Sequence, residues 1–385
     1  MAAPQLKSVL LAALIVAGVH AFVVAPPHTH LPVRRTAGKT ADAGRTANNI
    51  IVRAAPEELE NPVAKDAPAY ALAVAAQAIP VVTTDKLSHY VFFLALSATT
   101  VYLGSRAPSL APPEEQLTFK QAALAPVAAG VSLTGLYFVI TVLKIDPSLG
   151  YRLLTSLFAS LASFIVFYDG FDALVDDADA ANAAAAAATV ILAAVYLGGS
   201  LVGLDDLVVK VGAANFLGWS LALFAARTVP LRSFAVGAAL LGGLFFYDIF
   251  FVFASDIMVT VATKIDAPVK LVAPNAPGSA NPFALLGLGD VALPSLMVAF
   301  LGRYGDARGE AKWRRNAVVA YSVGLCAAFY ANECVRAGQP ALLYLVPAVV
   351  GSGVLSAGSG DELRALLDYA EPRAPPPKGS LFSRE

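Results

Sequence analysis

The stretch RSFAVGAALLGGLFFYDIFFVFAS, residues 232–255, decides how the chain is read. Between Arg232 and Ser255 its only charged residue is Asp248. A helix needs about 20 apolar residues to cross a hydrocarbon core. An ionisable side chain deep in such a run costs about 3 kcal/mol or more to insert, so an acid kept there is a functional candidate.

The rest of the chain has the same character. Of its 385 residues, 57% are hydrophobic and 14% charged, against about 25% charged in an ordinary soluble protein. Mean hydropathy is +0.65. Nine apolar runs are expected to span, at 88–105, 120–143, 151–168, 183–203, 207–226, 232–255, 283–302, 316–336 and 340–357. Helices are the economical reading, because lipid offers backbone polar groups no partner and nothing here alternates like a barrel strand. The fold class is therefore an all-α polytopic membrane protein. The run from Tyr70 to Val82 is short and broken by Pro80, and reads as interfacial or tail.

Before these spans lies a leader. Lys7 precedes an apolar stretch that ends Val19-His20-Ala21, so residues 1–21 read as a signal peptide. Residues 22–55 are basic and poor in acids, as in a transit peptide of an alga with a secondary plastid; a disordered lumenal tail fits equally. Residues 56–87 form a lumenal linker, 88–226 the first five spans, 232–357 spans six to nine, and 358–385 a disordered cytosolic tail. Basic residues favour the loops on the C-terminal side, led by the cluster Arg303 to Arg315, which argues for a lumenal N-terminus and a cytosolic C-terminus.

Several function classes fall away. A net charge of -1 and no recognisable motif leave no basis for nucleic-acid binding. Two cysteines, Cys326 and Cys334, make neither a disulfide framework nor a CxxC metal site. Four histidines, three of them in the leader, leave almost no histidine chemistry. No HExxH is present for a zinc enzyme, and His89 has no GxSG serine partner. No metal or other cofactor is expected.

Attention therefore narrows to acids. Spans six and seven are antiparallel neighbours, each with a basic marker on the same face. Asp248 lies 16 residues from Arg232 and Asp290 lies 13 from Arg303, depths of about 24 and 20 Å at helical rise. The two carboxyls can meet. Asp256 would lie at about 36 Å, a solvated helix end. Asp169 repeats the Tyr-Asp pair but is followed by Asp172, Asp176, Asp177 and Asp179, and reads as part of an acidic surface loop. Two carboxyls held close do not both ionise easily, so one can act as acid and the other as base. Gly287 and Gly289 would let backbone or water approach Asp290. Spacing alone leaves a proteolytic pair and the proton relay of a transporter or channel both open.

Three separated motifs resemble the signal peptide peptidase family of intramembrane aspartyl proteases, relatives of presenilin. They are Tyr247-Asp248, Leu286-Gly287-Leu288-Gly289-Asp290, and Gln339-Pro340-Ala341-Leu342 continuing to Pro347. Met258 to Ala262 and Ala267 to Leu271 are similar as well, and the likeness is clear from about Phe216 to Pro347. The resemblance implies that Asp248 and Asp290 are catalytic. It implies that Tyr247, Gly287, Leu288 and Gly289 shape the site, and that Pro340, Ala341 and Leu342 border it and position substrate. Ser255-Asp256 departs from the family's pattern. The implied activity is hydrolysis within transmembrane segments, such as remnant signal peptides and type II membrane proteins. Partners are then transmembrane substrates and the bilayer, with a homo-oligomer left open. The implied location is the endoplasmic reticulum or endomembrane, with an algal plastid membrane as the alternative.

Overall fold

The computed structural model describes residues 66–106, 117–175, 177–198, 207–265, 267–279, 281–335 and 338–371. The two leader readings, at 1–21 and 22–55, lie outside the described residues.

Apolar runs of this length fold as helices because each backbone donor finds its acceptor within the segment. Eight of the nine expected runs form helices close to their predicted limits: α3 (Lys86–Arg106), α4 (Phe119–Thr141), α5 (Ser148–Asp172), α6 (Ala178–Gly198), α7 (Leu207–Thr228), α8 (Phe234–Phe253), α11 (Lys312–Val335) and α12 (Leu342–Ser356). Polar side chains mark several starts. Thr118 and Gln121 form a reciprocal capping box at α4, and Ser233 accepts from the Val236 N–H at the start of α8 (Phe234–Phe253). Gly309 ends α10 (Gly289–Arg308) in the left-handed conformation at φ 69°, which glycine adopts without strain.

Three expectations change. Residues 283–302 are not one helix: Phe283–Gly287 is a strand, β2, and α10 starts only at Gly289. The reason is long-range, since β2 pairs antiparallel with β1 (Lys270–Pro274) in the register Lys270↔Gly287. The short helix α9 (Ile257–Lys264) connects α8 to this hairpin. The expected linker at 56–87 holds helices α1 (Ala67–Ala76) and α2 (Ile79–Val82). There Tyr70 is buried edge-on against Trp219 of α7, with ring centroids 6.4 Å apart, while Pro80 sits harmlessly in a first turn. The tail expected to be disordered from 358 carries α13 (Gly360–Asp368), capped by Ser359, after a 117° bend from α12 (Leu342–Ser356). Its buried Leu366 anchors it, and Glu371 beyond it donates its N–H to the Arg232 carbonyl and takes the Arg303 guanidinium.

The count also differs. Among the described residues, seven helices are long and apolar enough to cross a membrane, α3 to α8 and α11, and the bent pair α12 and α13 makes an eighth if taken together. The expected nine is therefore not established. α10, which falls short, carries Asp290, Arg303, Asp306 and Arg308 yet has the longest continuous buried run among the described helices, from Pro294 to Gly302. It packs against α3, α7, α8, α11 and α12 and forms the post of a multi-pass membrane bundle. By contrast α4 touches mainly α8 and α9 and exposes Leu124, Val127 and Val131.

One end of the bundle is tied by ion pairs. Asp169, expected at the surface, is half-buried: Arg227 Nη1 of α7 lies 2.5 Å from its Oδ2. Asp66 holds Arg106 at 3.1 Å, and Arg314 pairs with Asp306 while donating to the Ser105 carbonyl at 3.2 Å. Removing one member of a buried pair leaves the other uncompensated, at about 3–5 kcal/mol. Arg227→Met is thus expected to lower the Tm of the detergent-solubilised protein by several degrees. The double variant Asp169→Leu with Arg227→Met should recover most of the loss, and full additivity of the two single effects would contradict the pairing.

Candidate active site

Asp248 lies in the last turns of α8, inside an aromatic run from Phe245 to Phe251, and is only 4% exposed. A carboxyl in that setting needs a donor. It finds one in the Leu342 N–H of α12, which reaches Asp248 Oδ2 at 2.9 Å. That donor is free because the first-turn N–H groups of a helix have no intrahelical acceptor. Pro340, with no N–H of its own, opens this helix end, and its carbonyl accepts from Leu343 at 3.2 Å.

Asp290 arrives from the other direction. It stands half-buried in the first turn of α10, directly after β2. Both acids therefore sit at the N-terminal end of a helix, one within α10 and one against α12, where the helix dipole is positive. Asp248 and Asp290 are close enough for the charge on one to act on the other. The sequence-derived depths had set each within a long helix; Asp248 does lie within α8, whereas Asp290 opens α10 at the end of a hairpin.

Gly287 has a specific reason to lack a side chain. A Cβ built there would lie 3.1 Å from Asp290 Oδ2 and 3.7 Å from its carboxyl carbon. Gly289 has none of this pressure, since its added Cβ would meet only Leu293 Cδ1 at an ordinary 3.7 Å. Leu288 is buried and its N–H donates to the Val269 carbonyl at 3.0 Å, which extends the hairpin ladder to the start of α10. Tyr247 turns to Phe251, centroid to centroid 4.6 Å, beside Gly130 of α4. Pro340 and Ala341 form the approach to Leu342, and Asp256 precedes α9 as its N-cap without a side-chain capping bond.

The ladder also tells which hairpin edge is open. Leu288 bonding Val269, and Asn275 donating to the Pro282 carbonyl at 2.9 Å, mean that odd-numbered residues of β1 face β2. By the register, Leu286 and Ala284 face β1, while the backbone groups of Phe283, Leu285 and Gly287 point away from it. Leu285 is 47% exposed.

Two contributors were not singled out from sequence. Tyr321 of α11, fully buried, donates its hydroxyl to the Asp290 carbonyl at 3.2 Å. Asn215 of α7 bonds the backbone of β1. Both are polar groups inside apolar runs, the signal that marked Asp248, but neutral and so less conspicuous.

A family model described as signal peptide peptidase matches residues 111–373. A probable intramembrane protease of Schizosaccharomyces pombe is 35% identical over 282 residues, covering 70% of this chain and 90% of that protein. Human signal peptide peptidase is 38% identical over 193 residues, covering 48% of this chain and 51% of the human protein. Intramembrane protease 2 of Caenorhabditis elegans is 38% identical over 178 residues, covering 41% of this chain and 38% of that one. The chain thus spans about half or less of the human and nematode relatives and nearly all of the yeast one.

A reporter assay of transmembrane cleavage is expected to separate the two glycines. Gly287→Ala pushes on the Asp290 carboxylate and is expected to lower turnover by about 10- to 100-fold. Gly289→Ala should stay within about threefold of the parent, because Ala is the better helix former at a helical position. Equal losses in both would show that the glycines act through general packing.

Proposed function

Because the chain belongs to the signal peptide peptidase family, we propose that it is an intramembrane endopeptidase of the aspartic type, with Asp248 and Asp290 as its catalytic pair. What supports this reading is two acids on different helices, near enough for the charge on one to act on the other, with a backbone donor supplied to Asp248 by the Pro340 segment. A proton relay would need only the acids. It gives no reason for a strand with an outward-facing edge to lead into one of them, and the family match weighs against it.

Hydrolysis follows from two carboxyls in opposite protonation states. The anionic one takes a proton from water as the water oxygen bonds to the scissile carbonyl carbon. The protonated one donates to the carbonyl oxygen, giving a tetrahedral diol. Proton transfer to the amide nitrogen then lets the C–N bond break, leaving a new carboxyl and a new amine, and the roles of the acids exchange. The Leu342 N–H holds Asp248 in place through this cycle. A bonded helical carbonyl is a poor target, so the substrate must unwind. Its extended backbone can lie along the outward edge of β2, where Leu285 and Gly287 offer a strand partner next to Asp290.

Substrates are then transmembrane segments with helix-weakening residues near the cut, such as remnant signal peptides or type II membrane proteins. The basic residues at Arg303 to Arg315 favour that end of the bundle as cytosolic, in the endoplasmic reticulum or another endomembrane.

Purified protein is expected to cleave a transmembrane reporter peptide. Asp248→Asn and Asp290→Asn should each lower turnover by about 10²- to 10⁴-fold while leaving the Tm close to the parent. A hydroxyl-bearing mimic of the tetrahedral intermediate should compete with the reporter. Undiminished cleavage in both single variants would sink the assignment.

A further inference from the structure

We propose that Asn215 is a positioning residue that stands in for a third strand, closing the β1 edge of the hairpin so that an extended substrate can pair only along β2. The proposal rests on the proteolytic reading above and adds to it a residue that fixes where the substrate is cut.

Asn215 is fully buried in α7, whose other buried side chains, apart from Arg227 at its C-terminal end, are apolar or small. Its Nδ2 donates to the Val272 carbonyl at 2.8 Å, and its Oδ1 accepts from the Val272 N–H at 2.8 Å. A primary amide carries the same donor and acceptor as a peptide group, and here both are spent on a single residue of β1. Val272 is an even-numbered β1 residue, so these are the groups turned away from β2. They are the pair that a neighbouring strand would use. A polar side chain merely satisfying itself in a membrane helix would more readily bond its own preceding turn.

A close approach makes the bond possible. Gly218, on the next turn of α7, would carry a Cβ 3.4 Å from the Pro268 carbonyl oxygen and 3.7 Å from that of Lys270. A small residue suits this approach, since even a Cβ at 218 would already be in contact with the β1 backbone and a longer side chain would meet it. Beside it Leu271 and Ala273 are buried against the bundle. The consequences run along the chain. Asn215 holds Val272, the ladder carries that register through Leu286 to Leu288, and Leu288 opens the turn in which Asp290 sits. The two hairpin edges therefore differ: one is capped by a side chain and the other stands open beside the acids.

The test uses the full-length protein in detergent or vesicles with a transmembrane reporter, and reads cleavage positions by mass spectrometry together with kcat and KM. Asn215→Ser loses both bonds to Val272 while its hydroxyl can satisfy itself on its own helix, so the bundle should fold. Asn215→Leu removes the polar group while keeping the same branched skeleton of four side-chain heavy atoms. In both, cleavage is expected to spread from the wild-type positions to neighbouring peptide bonds, with kcat falling about tenfold or more as the reacting bond is held less well. A loss of turnover that only tracks the folded fraction, with cleavage positions unchanged, would overturn the proposal. So would failure of both variants to fold, which would assign Asn215 to bundle assembly. A wild-type protein that leaves the reporter uncut, or one whose cleavage survives Asp290→Asn, would instead remove the proteolytic reading itself.

Discussion

In the interior of a membrane bundle a carboxyl without a donor is untenable, and the contact between Asp248 and the Leu342 N–H answers that constraint. It joins residues 94 positions apart and brings the start of α12 against the end of α8. The Pro340 segment matters in this light for what it leaves open. A helix beginning at Leu342 has N–H groups with no acceptor of their own, and one of them is spent on the acid. α10 is held on its other flanks by α3, α7 and α11, with the Tyr321 hydroxyl on the Asp290 carbonyl.

The hairpin is the second consequence of the same rule. Strand backbone at membrane depth is tolerated only where its polar groups are shielded or face a cavity. β1 and β2 satisfy each other along one edge, and Asn215 satisfies Val272 on the β1 side. On the proposed reading, the outward groups of Leu285 and Gly287 are those an extended substrate would pair with. A site that must unwind a helix before cutting it gains from presenting a strand edge at the point of attack. The glycine at 287 then has two functions, leaving room for the Asp290 carboxylate and keeping the edge approachable.

Much of the site was legible from residues alone, since charge in an apolar run is conspicuous. Asp248 and Asp290 stood out, and the Pro340 segment was found through its resemblance. Where the reading went astray, partners distant in sequence were responsible. Residues 283–287 are as apolar as any helix in the chain and became a strand by pairing with 270–274. Asp169 sits among acids in sequence but is paired in space with Arg227, 58 residues away. The segment after residue 358 is polar enough to look disordered, yet Leu366 and Glu371 find partners on the bundle end.

The sequence by itself determined that this is a multi-pass helical membrane protein with two acids that can meet, because hydropathy and the cost of a buried charge are local properties. Tertiary structure alone decided that Asp290 opens a helix at the end of a hairpin, that Leu342 supplies the donor to Asp248, and that Asn215 and Tyr321 support the site. Each of these depends on a hydrogen bond whose two ends are set by packing. A neutral polar group inside a span shows from sequence that it needs a partner, and only the folded chain shows which one.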